Sequence, residues 1–219
     1  MSEEKPIALE TRGEAADGRR FSPSAERNRD VILSVFRSHM PGAGTLLEIA
    51  SGTGEHGAHI APDAPLLTWI YSDIDPPSLA SQSAWAAHLG EDSGLAGPLT
   101  LDVTSPDWAA AGVPGRLDAM FCANMIHIAP FACCEGLFAG AGRNLAPGAR
   151  MMLYGPFARD GEIAPSNAVF SDSLKQRDPS WGVRDLEREL MPLASSTGLA
   201  LVETVQMPAN NLSVVFEKA

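Results

Sequence analysis

The stretch LLEIASGTGEHG, residues 46–57, decides the fold class. Apolar residues on both sides of Glu48 predict a buried strand, and the small residues after it predict a tight turn that contains Gly52 and Gly54. Glycines in such a turn let a ligand approach the backbone closely, and a helix predicted at 55–61 presents free N–H groups directly behind it. The segment is typical of the first strand, turn and helix of a cofactor-binding α/β sheet.

Short apolar runs alternate with helical patterns along the rest of the chain, and this alternation is typical of parallel strands with right-handed helical crossovers. Strands are predicted at 45–50, 67–72, 98–103, 117–124, 149–155, 199–206 and 212–218. Only five residues separate the last two strands, too few for a crossover helix, so these strands must pair antiparallel. The predicted fold class is α/β: a Rossmann-like, doubly wound, mostly parallel seven-stranded sheet with an antiparallel last strand.

Composition limits the classes of partner. The net charge of −11 repels phosphate groups, so neither nucleic acid nor an anionic membrane surface is an expected partner. No apolar run approaches the roughly 20 residues of a membrane helix, and the first residues lack the pattern of a secretory signal. Three cysteines form neither a disulfide framework nor a spaced set of metal ligands. We therefore expect a cytoplasmic protein without a metal ion; the sequence gives no indication of its oligomeric state.

The 219 residues are enough for one α/β domain. Residues 1–20 are charged and aperiodic, which predicts a flexible N-terminal arm, and residues 21–219 form the single domain. Within it, residues 156–182 are rich in Pro, Gly, Ser and Asp around a helical patch at 168–177. This segment is predicted to cover the carboxyl edge of the sheet, where ligands bind.

The glycine pattern GTGEHG, residues 52–57, also satisfies the dinucleotide fingerprint, so an NAD-dependent oxidoreductase is a remote alternative. Glu48 argues against it, because a carboxylate disfavours a pyrophosphate and suits a cationic ligand such as a sulfonium. Asp73, at the end of the second predicted strand, can accept hydrogen bonds from both hydroxyls of a ribose. Asp102, at the third strand, either reads an adenine amino group or is a solvated residue at the end of its strand.

Four stretches resemble the successive motifs of class I S-adenosylmethionine-dependent methyltransferases: LLEIASGTGEHG, YSDIDPPSL, LTLDVTSPDW and LDAMFCANMIHIAP. Others, including FSPSAERNRDVIL and MPANNLSVVF, resemble a narrower set of largely uncharacterised methyltransferase-like proteins known only as a domain of unknown function. The resemblance covers about residues 20–217. It implies the class I methyltransferase fold, S-adenosylmethionine as the cofactor and S-adenosylhomocysteine as its product.

The resemblance also implies roles for individual residues. The methionine part of the cofactor is expected at Glu48, Ala50, Ser51, Gly52, Thr53 and Gly54, the ribose at Asp73 beside Ile74, and the adenine at Asp102 and Val103, with Asn124 and Met125 on the far side. Arg27 and Asn28 are expected to cover the cofactor, with Arg27 reaching a carboxylate; a solvated helix face is the alternative. Ala50 departs from the general motif, which often has glycine at that position.

Methyl transfer from a sulfonium requires a positioned nucleophile, and it requires a base only when that nucleophile is protonated. His127, after the fourth strand, is a candidate base, with a hydrogen-bonded residue beneath the loop as the alternative. Tyr154, at the end of the fifth strand, either orients a substrate or is a packed aromatic.

The predicted function is a methyltransferase acting on a small-molecule substrate. A thiol, hydroxyl or carboxylate acceptor is favoured, because the fourth strand is followed by Asn124-Met125-Ile126-His127 rather than by an Asn/Asp-Pro-Pro-aromatic motif. A non-catalytic S-adenosylmethionine-binding regulatory or scaffold protein is the alternative.

Overall fold

Seven strands form the central sheet of the computed structural model, which describes residues 10–219. In chain order they are β1 Ala43–Ile49, β2 Leu66–Asp73, β3 Leu95–Thr100, β4 Leu117–Ala123, β5 Leu145–Ala158, β6 Leu199–Met207 and β7 Asn211–Lys218. Their spatial order is β3-β2-β1-β4-β5-β7-β6. The first five are parallel, and β7 is antiparallel to both β5 and β6. The predicted doubly wound sheet with an antiparallel last strand is confirmed.

Helices connect and cover the strands: α1 Pro23–His39, α2 Glu55–Ile60, α3 Pro76–Leu89, α4 Phe131–Asn144, α5 Pro165–Arg177 and α6 Met191–Ser196. Local capping chemistry sets several of their boundaries. The Ser22 hydroxyl accepts a hydrogen bond from the backbone N–H of Ala25 at the start of α1, and the Asp75 carboxylate accepts one from Ser78 at the start of α3. A proline at the first turn fits both helices, because that position needs no backbone donor.

The sheet is buried on both faces. Helices α4 and α6 cover one face, where Leu137 and Phe138 pack against strand residues of β4, β5 and β7. Helices α1 and α2 cover the other face, where Phe36 and Ile60 pack against Trp69. Burial on both faces explains why the strands read as almost continuous apolar runs.

Two boundaries differ from the prediction. Strand β3 spans Leu95–Thr100 rather than 98–103, so Asp102 and Val103 follow the strand. Its pairing with β2 ends where Thr100 lies opposite Asp73, and as an edge strand it tolerates a proline at its fourth position. The prediction had started the strand at this proline.

The second difference concerns the predicted N-terminal arm, of which residues 1–9 lie outside the described residues. Gly13–Glu14 pair antiparallel with Arg20–Phe21 in a short ribbon. The ribbon contacts α3, because the indole of Trp85 donates to the carbonyl of Arg20 and the Arg20 N–H donates to the hydroxyl of Ser81 at 2.8 Å. Polar contacts of this kind leave no periodic pattern in the sequence, so the sequence does not predict them.

Segment 184–196 was also not predicted as regular structure. Arg184–Asp185 add two residues of parallel pairing to the end of β5, and a π-helical turn at Leu186–Leu190 leads into α6. Within residues 10–219, no helix has both the length and the apolar character needed to cross a membrane.

Candidate functional site

A cavity of about 610 Å³ lies at the carboxyl ends of the parallel strands. Its walls come from the segments that follow β1, β2, β3 and β4, from the start of α1 and the region before it, and from the segment predicted as a cover. Most residues predicted to hold a cofactor line it: Arg27, Glu48, Ala50, Ser51, Gly52, Thr53, Asp73, Ile74, Asp102, Val103, Asn124 and Met125. The topology therefore brings residues from four separate loops to one site, as expected at this edge of a parallel sheet.

The turn after β1 has an unusual backbone. Ala50, Gly52 and Gly54 all have left-handed φ angles, of 53°, 58° and 87°. The turn closes when the Gly54 N–H donates to the carbonyl of Ser51 at 3.0 Å, and α2 begins at the next residue. A Cβ on Gly54 would lie 3.2 Å from the Trp85 ring, so this glycine is required for space as well as for backbone conformation.

Glu48 lies at the base of the cavity and is almost fully buried. Its Oε2 accepts a hydrogen bond from the indole N–H of Trp69 at 2.8 Å. Burial raises the pKa of Glu48 to about 8, and the nearby Asp73 carboxylate acts in the same direction. A cation bound in the cavity would favour the ionised form of this carboxyl group.

Asp73 is held by three backbone donors. Its Oδ2 accepts from the N–H of Gly52 at 2.9 Å, and its Oδ1 accepts from Ile74 at 2.8 Å and Asp75 at 3.0 Å. These contacts tie the turn after β1 to the end of β2. A carboxylate has about four acceptor positions, so Asp73 retains about one for a ligand. Burial raises its pKa as well.

Asp102, which follows β3, forms its hydrogen bonds within its own turn. Its Oδ1 accepts from the N–H of Thr104 at 2.9 Å and from the Thr104 hydroxyl at 2.7 Å, which closes the turn after β3. Val103 and Leu101 line the cavity beside it and are buried. Adenine recognition by Asp102 stays a prediction, while the apolar walls that a flat ring would need are present.

A buried arginine joins the predicted cover to the loop after β4. Arg184 Nε donates to the carbonyl of Ile126 at 2.9 Å, and its Nη2 donates to the carbonyls of Ala129 and Ser180, both at 2.8 Å. Its guanidinium also lies over the ring of Phe131, 5.6 Å from the centroid. This set of bonds fixes the shape of the loop that contains His127.

His127 lines the cavity but is completely buried. Its Nδ1 accepts from the backbone N–H of Arg184 at 3.4 Å, and its Nε2 has no hydrogen-bond partner among residues 10–219. Burial, followed by the charge of Arg184, lowers the pKa of His127 to about 3. The ring is therefore neutral, and because Nδ1 accepts, the proton is assigned to Nε2. In this state the Nε2–H of His127 is a buried donor that faces Gly155, where an added Cβ would lie 2.6 Å away.

Three predicted site residues lie behind the cavity wall. Tyr154 is buried in the core on the α1 side, where burial raises the pKa of its phenol and the Asn28 side chain acts in the opposite direction. Asn28 is itself buried and contacts the ring of His56. Gly54 forms the turn without lining the cavity, and its carbonyl accepts from the Tyr71 hydroxyl at 2.7 Å.

Several lining residues were not predicted to hold a ligand: Glu10, Arg12, Ser22, Ser24, His56 and Phe170. Glu10 and Arg12 belong to the segment predicted as an arm, where no periodic pattern indicates contact with a site. Phe170 belongs to the predicted cover, and its aromatic character was the available signal. No group of three or more His, Cys, Asp or Glu side chains in the described part of the chain could hold a metal ion.

Known proteins share this fold. The model of the family described as "Protein of unknown function (DUF938)" matches residues 19–218. An O-methyltransferase family protein from Burkholderia thailandensis is similar over 90% of this chain and 56% of its own, with a TM-score of 0.72 and 16% identity. An O-methyltransferase family 2 protein from Planctomyces limnophilus, in complex with apigenin, is similar over 90% and 60%, with a TM-score of 0.70 and 20% identity.

Human N-acetylserotonin methyltransferase in complex with S-adenosylmethionine is similar over 90% of this chain and 53% of its own, with a TM-score of 0.69 and 16% identity. The chain thus spans little more than half the length of these proteins. At such identities the likeness establishes the fold, and the predicted class I methyltransferase architecture is confirmed.

Proposed function

We propose that this chain, which belongs to the family described as "Protein of unknown function (DUF938)", is a cytoplasmic S-adenosylmethionine-dependent methyltransferase with a small-molecule acceptor. The observation that carries the proposal is the composition of the one cavity described above. The cavity contains the left-handed turn after β1, the buried carboxyl group of Glu48 at its base, the Asp73 carboxylate that could bind a ribose, and an apolar region. Each of these features suits a different part of the cofactor and its acceptor.

The residues present fit the cofactor. Glu48 and the turn from Ala50 to Thr53 would hold its methionine part, Asp73 its ribose, and Val103 with Met125 its adenine. Arg27 is exposed at the cavity and has a charge that suits a carboxylate. When bound, S-adenosylmethionine supplies an electrophilic methyl group and leaves as S-adenosylhomocysteine.

Glu48 also disfavours the dinucleotide alternative. A buried carboxyl group beneath the glycine turn offers a pyrophosphate either a like charge or, when protonated, no compensating positive charge. The same group stabilises a cation. The turn is therefore better suited to a sulfonium and an ammonium group than to NAD.

The acceptor end of the cavity is apolar and aromatic. Phe170 and Trp181, from the segment predicted as a cover, face the cavity together with Ile128 and Pro130 from the loop after β4. Flat, weakly polar molecules suit such walls. We therefore favour an aromatic acceptor with a hydroxyl group over one with a thiol or carboxylate, and the likeness to a methyltransferase crystallised with apigenin agrees with this choice.

His127 and Tyr154, the two residues predicted to be catalytic, are proposed to act as positioning residues. His127 would position the acceptor through the shape of the loop after β4, rather than remove a proton, because its Nε2 is buried against Gly155. Tyr154 does not line the cavity, so it would act as a positioning residue through Asn28. Positioning is the main contribution that this kind of displacement requires from a protein.

The test is methyl transfer from labelled S-adenosylmethionine to a panel of hydroxylated, thiol-bearing and carboxylated aromatic compounds. Labelled product with equimolar S-adenosylhomocysteine is expected for the hydroxylated members. Phe170→Ala should raise the KM for the acceptor with little effect on cofactor affinity. Val169→Ala is the matched control, because Val169 is 71% exposed on the same helix. Cofactor binding without transfer to any class would favour the non-catalytic binding protein instead.

A further inference from the structure

His56 borders the cavity and has no role in the function proposed above. It is the second residue of α2, directly behind the glycine turn, so it belongs to the methionine end of the site and not to the apolar end. Its ring meets the ring of Phe121 edge-on, with centroids 5.9 Å apart. The packing against Phe121 limits the orientations that the imidazole can adopt.

A side-chain network fixes which nitrogen of His56 carries the proton. The amide oxygen of Asn28 lies 2.9 Å from Nε2 of His56. Because an amide oxygen only accepts, Nε2 of His56 must be the donor.

The other nitrogen, Nδ1, therefore keeps its lone pair. Burial lowers the pKa of His56 to about 4, with a further contribution from His59, so the ring is neutral near pH 7 and holds only the proton on Nε2. Among residues 10–219, Nδ1 has no hydrogen-bond partner. Because Nε2 donates to Asn28, Nδ1 is the one acceptor atom of this neutral ring that remains available to a ligand.

We infer that His56 presents Nδ1 to the cavity and accepts a hydrogen bond from the α-ammonium group of the cofactor's methionine part. This inference rests on the proposed function. Two other groups that line the cavity complete the recognition of an amino acid: the Glu48 carboxyl favours the same ammonium, and the Arg27 guanidinium suits the carboxylate. His56 is thus a residue that distinguishes a nucleoside with an amino-acid tail from one without it.

Two substitutions separate this role from a structural one. The amide oxygen of asparagine comes close to the place of histidine Nδ1, whereas the amide of glutamine reaches the place of Nε2. His56→Asn therefore keeps an acceptor at the cavity, and His56→Gln keeps the contact with Asn28. Calorimetric titration with S-adenosylhomocysteine and with 5′-methylthioadenosine, which lacks the amino-acid part, measures the effect of each.

The inference predicts that His56→Gln binds S-adenosylhomocysteine about tenfold to a hundredfold more weakly than the wild type, as expected for a hydrogen bond from a charged donor. His56→Asn should stay within about threefold of the wild type. Binding of 5′-methylthioadenosine should be the same in all three proteins. Equal losses for the two ligands, or a loss in the asparagine variant alone, would overturn the inference.

His59→Gln is the matched control. His59 lies one turn further along α2, with Nε2 2.8 Å from the Asp30 carboxylate, and it does not line the cavity. Its replacement should leave both affinities unchanged, and a loss equal to that of His56→Gln would also overturn the inference. A wild-type protein that binds neither ligand would refute the proposed function itself, so the two failures are distinguishable.

Discussion

Replacing Glu48 by glutamine removes the most strongly perturbed carboxyl group of the cavity, whose pKa is raised from 4.5 to about 8. Burial is the main cause, and the hydrogen bond from Trp69 only partly opposes it. The group is thus protonated in the folded protein near pH 7 and ionised in the unfolded chain. A glutamine side chain can still accept the hydrogen bond from the Trp69 indole.

The sign and size of the effect follow from proton linkage. Because folding takes up a proton at Glu48 between pH 4.5 and about 8, the stability from this group is fully present below pH 4.5 and is lost as the pH rises to about 8. The loss is about 1.4 kcal/mol per pH unit, or about 5 kcal/mol over the whole window. Glutamine does not titrate, so the free energy of unfolding of Glu48→Gln lacks this dependence on pH.

Urea unfolding of both proteins at several values between about pH 5.5 and 8.5 measures the slope. The free energy of unfolding of the wild type, minus that of Glu48→Gln, should fall steadily with pH. Glu203→Gln is the control, since Glu203 is exposed on β6 and its variant should follow the wild-type curve. Parallel curves for the wild type and Glu48→Gln would refute the argument that Glu48 is buried as the neutral acid.

Three further substitutions test the geometry around the cavity. Ala50→Gly should raise the free energy of unfolding, measured in urea, by up to about 1 kcal/mol, because Ala50 has a left-handed φ of 53°. A clear fall in the free energy of unfolding would contradict the idea that the Ala50 backbone is strained. Gly155→Ala should lower the free energy of unfolding by about 1–3 kcal/mol, because the added Cβ would lie 2.6 Å from His127 Nε2; an unchanged urea midpoint would show that the ring moves freely. Arg184→Lys should lower the free energy of unfolding by about 2–4 kcal/mol and speed proteolysis of residues 156–182, because lysine cannot reach three carbonyls with one planar group. A variant that resists proteolysis as well as the wild type would contradict the role of Arg184 in fixing this segment.

The sequence predicts the fold well wherever local chemistry marks the boundaries. Helix α3 spans Pro76–Leu89 as predicted, because Asp75 caps its start and Gly90 follows its last residue. The predicted bounds of β3 were wrong because the end of this strand is set by its pairing with β2, which no local pattern encodes. Long-range pairing of this kind is the part of the fold that composition and periodicity leave open.

The candidate site shows the same division. Glu48 and Asp73 were predictable, since polar residues at the ends of buried strands must lie at one edge of the sheet. The proton on Nε2 of His127 was not, because it depends on a backbone N–H from Arg184, 57 residues away in the chain. The contribution of Glu10 and Arg12 likewise depends on tertiary contacts of an aperiodic segment.

Calorimetric titration with S-adenosylmethionine, S-adenosylhomocysteine and NAD tests the central claim most directly. We predict that both sulfur compounds bind and NAD does not. Gly54→Val should abolish binding, while Gly90→Val should not, since Gly90 has a similar left-handed φ of 81° in open space away from the cavity. Binding of NAD alone, or of none of the three, would contradict the account.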